Sequence, residues 1–275
     1  MTTLPGTLAD TQLQELIGLV KETHGFDFSN YSKASLKRRL SRISTLKKLG
    51  FHELKESLTN NPDFFRWFLN EVTVNVTEMF RDPSFYKALN ALVVPYLSDF
   101  PSVRVWSAGC SSGEEAFSLA ILLDQAKLKC APFIYGTDIN TAMIEEAQKG
   151  TYSLRKLKSY AENYRLCELP GSLTDHFNVM HEVASIKNEL SQNTLFSTHN
   201  LVTGDVFNEF QIISCRNVFI YFDAALQEKI LGLFYKSLCP NGFLCLGSKE
   251  TIRFPEYKNK FRVISQKENI YQKIG

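Results

Sequence analysis

The stretch Val103-Arg-Val-Trp-Ser-Ala-Gly-Cys-Ser-Ser-Gly-Glu-Glu115 limits what this chain can fold into more than any other. Val103, Val105, Ser107 and Ala108 suit a buried strand, and Gly109 and Gly113 bracket a turn too tight for bulky residues. Phe117, Leu119, Ala120, Leu122 and Leu123 follow at helical spacing. A strand that feeds a glycine turn and a helix is where open α/β sheets hold nucleotide-like cofactors, although such turns also serve as plain connections.

Downstream of this stretch the pattern alternates. Strands are predicted over 103–108, 132–137, 210–215 and 242–247, and helices over 114–126, 140–149 and 224–238. Alternation of this kind requires parallel strands joined by helical crossovers. A strand pair at 260–265 and 269–273 closes the sheet. Residues 176–186 and 194–199 read as strands on either side of a polar segment, which predicts a small β-hairpin insertion near 170–195. Upstream, apolar spacing predicts helices over 8–24, 32–49, 52–59 and 62–74, and Asp82-Pro83 starts another that runs to Tyr96. The expected fold class is α/β: a doubly wound, Rossmann-like sheet over 97–275, preceded by an all-helical domain over 1–96.

At 275 residues and 44% hydrophobic content, the chain can bury a large core. Its net charge of +2 makes no global case for nucleic acid. The six cysteines are scattered without a C-x-x-C pair, so they read as reduced core thiols in a cytoplasmic protein, with no metal site expected. No signal-like N-terminus and no apolar run of about 20 residues is present, so no membrane insertion is expected, and the chain is taken as a monomer. One local feature breaks the neutral balance. Lys33, Lys37, Arg38, Arg39, Arg42, Lys47 and Lys48 crowd one helix with no acid among them. A solvated helix ordinarily mixes signs, so this one reads either as an exposed face or as a docking face for an acidic partner.

The strand ends carry the chemistry. Asp138, at the end of the second alternating strand, can accept both ribose hydroxyls of an adenosine cofactor, and it can equally cap the helix that follows. The opening turn is Gly-x-x-x-Gly and lacks the middle glycine that lets a dinucleotide pyrophosphate approach the backbone. Glu114 and Glu115 would repel a pyrophosphate but tolerate a sulfonium and an amino group. The cofactor favoured by these residues is therefore S-adenosyl-L-methionine rather than NAD. Arg216-Asn217 follows the next core strand, at the edge where open sheets keep ligand contacts.

Four stretches together have a family pattern: Asn75-Val-Thr-Glu-Met-Phe-Arg81, Trp106-Ser-Ala-Gly-Cys-Ser-Ser-Gly-Glu-Glu115, Thr137-Asp-Ile-Asn140 and Cys215-Arg-Asn-Val-Phe-Ile-Tyr-Phe222. In them the chain resembles the CheR family, methyltransferases that use S-adenosylmethionine to form glutamate methyl esters on bacterial chemoreceptors. The resemblance covers roughly residues 10–272. It implies cofactor contacts by Asn75, Thr77, Arg81, Gly109, Glu115, Asp138, Asn200, Leu201, Arg216 and Asn217, with S-adenosyl-L-homocysteine as the product. It implies that Arg81 and Tyr221 lie nearest the transferred methyl. From its charge, the basic helix is expected to dock methyl-accepting chemoreceptor helices or a similar acidic helical protein through Lys37, Arg38 and Arg42, and no nucleic acid is expected as a partner. The chain departs from the family at Met79-Phe80, at Ala116-Phe117 and at Gly247-Ser-Lys-Glu250, where the family usually has Gly-His-Ser-Glu. Two other readings compete: a methyltransferase acting on RNA or a small molecule, and a signalling adaptor that binds the cofactor without turnover.

Overall fold

Apolar residues three and four apart fold the first part of the chain into four helices, α1 (Asp10–His24), α2 (Lys33–Lys47), α3 (Phe51–Asn60) and α4 (Pro62–Val72). The structure is a computed structural model that describes residues 8–274. Leu13, Leu16, Ile17 and Val20 of α1 share one core with Leu36, Leu40 and Ile43 of α2, Leu54 and Leu58 of α3, and Phe65, Phe68 and Leu69 of α4. Gly25 ends α1 in the left-handed region at φ 75°. The Asn61 side chain caps α4 by accepting the Phe64 N–H, and Pro62 occupies the first turn, where no N–H is needed. Residues 220–229 belong to this helical unit. They are joined to the α1–α2 connection by backbone bonds: Ser32 N–H donates to Tyr221 O at 2.7 Å and Asp223 N–H to Asn30 O at 2.9 Å.

The second unit comprises Val76–Phe219 and the chain from Ile230 onward. It opens with α5 (Pro83–Leu92) and α6 (Val94–Leu97), then alternates through β1 (Arg104–Ala108), α7 (Glu114–Gln125), β2 (Phe133–Asp138) and α8 (Thr141–Lys149). A small excursion follows: β3 (Thr151–Ser153), α9 (Leu154–Leu166), β4 (Phe177–Met180), β5 (Val183–Ile186) and α10 (Asn188–Ser191). The main sheet resumes with β6 (Thr194–Thr198) and β7 (Phe210–Cys215), then the part of α11 (Ala224–Ser237) from Ile230 onward, β8 (Leu238–Leu246), α12 (Pro255–Lys258), β9 (Phe261–Ser265) and β10 (Ile270–Lys273). Its order is β6-β2-β1-β7-β8-β10-β9, parallel from β6 to β8 and antiparallel beyond. After β1 the chain winds toward β6, and after β6 it returns to the other flank of β1. The order thus reverses beside β1, the kind of place where open α/β sheets bind ligands. Every residue of β7 is buried, as expected of a strand covered on both faces.

Three sequence expectations differ from this architecture. The strand near 194–199 is not half of a hairpin: it pairs in parallel with β2 and forms an edge of the main sheet. The small sheet has three strands in the order β3-β5-β4, so the insertion begins at Thr151, before the expected 170. Thr151-Tyr-Ser153 is too short to show a periodicity, which is why it escaped the pattern. The packing also divides near residue 75 rather than at 96/97. Phe85, Tyr86, Leu89, Val93 and Leu97 are buried in one core with Val103, Val105 and Leu119. The change from helical to alternating texture at 97 is real, but α5 belongs to the sheet it covers.

Leu89→Ala should therefore destabilise the sheet unit by about 2–5 kcal/mol, the cost of a large-to-small change in a closed core. Urea unfolding measures it, and a loss well under 1 kcal/mol would place α5 outside that core.

Candidate cofactor site

The turn after β1 is held mainly by the end of β2. Gly109 N–H and Cys110 N–H both donate to Thr137 O, at 2.7 and 2.9 Å, and Gly113 N–H donates to Cys110 O at 3.0 Å. Ser111 N–H donates to Asp138 Oδ2 at 2.9 Å, and Asn140 N–H to Asp138 Oδ1 at 2.9 Å. Gly109 has φ 79°, and a Cβ there would lie 2.5 Å from Val218 Cγ2. Gly113 has φ 89° and is packed against Ala147 and Phe196. Both glycines thus meet two demands, a left-handed backbone and a close neighbour.

These bonds decide which cofactor the turn can hold. The N–H groups of Gly109, Cys110, Ser111 and Gly113 are spent inside the protein, so they are not offered to a pyrophosphate as a phosphate-binding loop would offer them. What the strand ends present instead is carboxylate, from Asp138 and Glu115. These acceptors fit the hydroxyls and the positive charge of S-adenosylmethionine. Burial pushes the Asp138 carboxyl up from its ordinary value, against the opposing effect of the N–H groups of Asn140, Ser111 and Ile139. Capping of α8 falls to Asn140, whose Oδ1 accepts the Ala142 N–H, so Asp138 is not that helix's cap.

Glu115 and Glu114 have separate fates. Glu115 Oε1 accepts from Ser107 Oγ at 2.9 Å, and its Oε2 lies 3.5 Å from Arg216 Nη1. Glu114 is fully buried away from this cluster, with Tyr160 OH donating to Oε1 at 2.9 Å and Ser112 Oγ to Oε2 at 2.7 Å. Only one of the two acids that the sequence set against a pyrophosphate therefore joins the charged cluster.

The Arg216 side chain is 2% exposed. Its Nη2 donates to Asp82 Oδ2 at 2.9 Å, both terminal nitrogens lie 3.4 Å from Arg81 O, and its Cζ stacks 3.9 Å above the Phe85 ring. A planar fork is needed to meet two carboxylates and a carbonyl at once. Arg216 thereby ties the segment before the sheet to the helix that follows β1. In that segment Phe80 and Asp82 both adopt the left-handed region, at φ 54° and 58°, and present Arg81 between them. Left-handed non-glycine residues are uncommon and gather where surrounding contacts over-determine them. Here Phe80 N–H donates to the buried Ser118 Oγ at 2.9 Å, and Arg81 Nη1 donates to Val76 O at 3.1 Å.

Asn217, at φ 62°, donates its N–H to Glu250 Oε2 at 3.0 Å, and the same oxygen accepts the Gly247 N–H at 2.6 Å. Buried Glu250 thus joins the ends of β7 and β8. Asn200 Oδ1 accepts the Val202 N–H at 2.9 Å, and Leu201 is buried beside it. The sheet unit brings together Arg81, Gly109, Glu115, Asp138, Arg216 and Asn217 at the carboxyl ends of its strands or on the loops tied to them. Thr77, Asn200 and Leu201 belong to the same unit, whereas Asn75 and Tyr221 belong to the helical unit. On α2, Lys37 pairs with Asp10, and Arg42 approaches Glu71 at 3.7 Å. Among the described residues Arg38 makes no ion pair and is exposed. The acids missing from the basic helix are partly supplied by its neighbours. In the sequence Asp82 reads only as a helix start, and Ser118 is a lone serine in an apolar helix with no visible signal.

Residues 75–270 match the CheR methyltransferase SAM-binding domain, and residues 11–73 match the CheR methyltransferase all-alpha domain. The chain is 40% identical to a methyltransferase named Cher3 from Pseudomonas putida, over 96% of this chain and 97% of that one. It is 31% identical to a chemotaxis protein methyltransferase from Listeria monocytogenes, over 86% and 88% of the two chains. With the Salmonella typhimurium protein of that name it shares 32%, over 88% and 84%.

Arg216→Met should cost about 3–5 kcal/mol in urea unfolding, because Asp82 and Glu115 lose the charge between them. Arg216→Lys should recover little of this, since a point charge cannot reach both carboxylates. A second expectation concerns pH. The raised Asp138 pKa means that its ionisation costs folding stability above its unfolded value near 3.8, a cost that vanishes on acidification. An acceptor for hydroxyls must stay ionised, so calorimetric affinity for S-adenosylmethionine should begin to fall at a higher pH than an ordinary carboxylate gives. Asp138→Asn should lack this limb.

Proposed function

We propose, because this chain belongs to the CheR methyltransferase family, that it transfers the methyl group of S-adenosylmethionine to glutamate side chains of a chemoreceptor-like signalling protein. S-adenosylmethionine supplies an electrophilic methyl on a positive sulfur. The acceptor glutamate, with a reference pKa near ~4.3, is already an anion at neutral pH, so no general base is required of the protein. Its residues have only to orient, desolvate and exclude water. The observation that carries this reading is the presentation of Arg81. Two left-handed residues and the buried Arg216 fix its loop to the same Glu115 that flanks the cofactor turn.

In this mechanism Arg81 holds the attacking carboxylate by its guanidinium, and Tyr221 positions the reacting groups by a hydrogen bond. Glu115 and Asp138 anchor the charged and ribose parts of the donor. The exposed basic face of α2 draws in an acidic helix. Esterification removes one negative charge from that helix, which weakens the attraction and favours release of the product. The reaction places the chain with the cytoplasmic portion of a receptor. Among the described residues no helix is long and apolar enough to cross a membrane.

The test is incubation with labelled S-adenosylmethionine and acidic receptor fragments, followed by mild base. Base-labile label released as methanol is expected, and label that resists base would exclude a carboxyl ester. Arg81→Ala should lower turnover by about a hundredfold while changing cofactor affinity by less than about threefold. Reversing the charge of Arg38, Lys37 and Arg42 one at a time should raise KM for the acidic protein, with Arg38→Glu acting most strongly because Lys37 and Arg42 already have acidic neighbours.

A further inference from the structure

Helix α9 touches both loops of the site, although neither its sequence nor its place in the chain marks it as part of the cofactor edge. Lys156 Nζ lies 3.3 Å from Glu114 Oε1, and Tyr160 OH donates to the same oxygen at 2.9 Å. Asn163 Nδ2 donates to Met79 O at 3.0 Å and lies 3.3 Å from Glu78 Oε2. The Tyr164 ring meets Phe80 edge-on, with centroids 5.1 Å apart. Lys156, Tyr160, Asn163 and Tyr164 follow the three- and four-residue spacing that aligns side chains along one face of a helix. That face grips the cofactor turn at one end and the Arg81 loop at the other.

Helix α7 also links the Arg81 loop to its own first turn. Ser118 Oγ donates to Glu114 O at 2.7 Å and accepts the Phe80 N–H at 2.9 Å. Glu114 in turn accepts from Ser112 Oγ inside the cofactor turn, and Tyr152 OH, on β3 just before α9, donates to Ser112 O at 3.1 Å. A carboxylate at a helix N-terminus is favoured by the helix dipole, but only modestly. Burying one completely is costly unless its partners are fixed, and here the partners belong to α9 and to the turn itself.

We propose that α9 is a bracket in which Tyr160 and Asn163 are positioning residues, setting the cofactor turn and the Arg81 loop at one fixed spacing. Neither touches the reacting atoms. Tyr160 acts through Glu114 and Ser112, and Asn163 acts through the backbone that leads into Phe80 and Arg81. The inference deepens the proposed methyl transfer and rests on it for its purpose. Its test needs no methyl acceptor, so failure of the proposed substrate and failure of the bracket are told apart.

Amide hydrogen exchange and calorimetric binding of S-adenosylhomocysteine are compared for the full chain, Tyr160→Phe and Asn163→Ala. Tyr160→Phe removes one hydroxyl and leaves the ring in place. Each substitution alone should quicken exchange of the Ser111, Gly113 and Phe80 amides about tenfold, in the near loop and the far one alike, and weaken binding about fivefold. The Val105 and Ile213 amides of the central strands should stay as they are. A response confined to the nearer loop, or a uniform rise that includes Val105 and Ile213, overturns the proposal. So does binding within about twofold of the unsubstituted chain.

Discussion

A single buried guanidinium organises the charged edge of the sheet. Arg216 emerges from a strand buried along its whole length, stacks on Phe85 and meets Asp82, Glu115 and the Arg81 carbonyl. A charge removed from water this fully is tolerable only when its partners are fixed in place. The dependence therefore runs both ways. The left-handed Phe80 and Asp82, the Ser118 hydroxyl under Phe80 and the Ser107 hydroxyl on Glu115 all serve to hold the groups that neutralise Arg216. The cofactor turn and the loop that presents Arg81 are consequently parts of one electrostatic assembly.

That assembly explains why the turn lacks the features of a phosphate site. Its amides fold back onto Thr137 and Asp138, and the helix after it begins with two acids. A positively charged donor needs neither free N–H groups nor a positive helix end. It needs acids held at set positions, and a folded backbone holds them more firmly than a mobile loop would.

The residues at the strand ends were legible in the sequence because strand, turn and helix have different periods, and Gly109, Glu115, Asp138 and Arg216 fall where those periods change. Burial was less legible. Glu114 and Glu115 are adjacent and chemically alike, yet one faces α9 and the other Arg216, a difference set by the helix phase and by partners far along the chain. Asp82 read as a helix start because its sequence context, Asp-Pro, favours one; its pairing with Arg216 joins residues too far apart for any local pattern. The packing division near residue 75 was hidden for a related reason, since α5 has the texture of the helices before it and the core of the sheet after it. The basic helix was legible as a run of cations, but the acids that meet Lys37 and Arg42 come from α1 and α4.

The proposed seat of the donor is the carboxyl edge of the sheet, against the turn, Asp138 and the loop carrying Arg216. Amide chemical shifts on addition of S-adenosylhomocysteine test it most directly. The largest changes are expected at Ser111, Gly113, Asn140 and Asn217, with little change around Leu128 and Asn193, which line a pocket between the far end of α7 and α10. Large shifts at Leu128 and Asn193, with Ser111 and Asn217 unmoved, would contradict it.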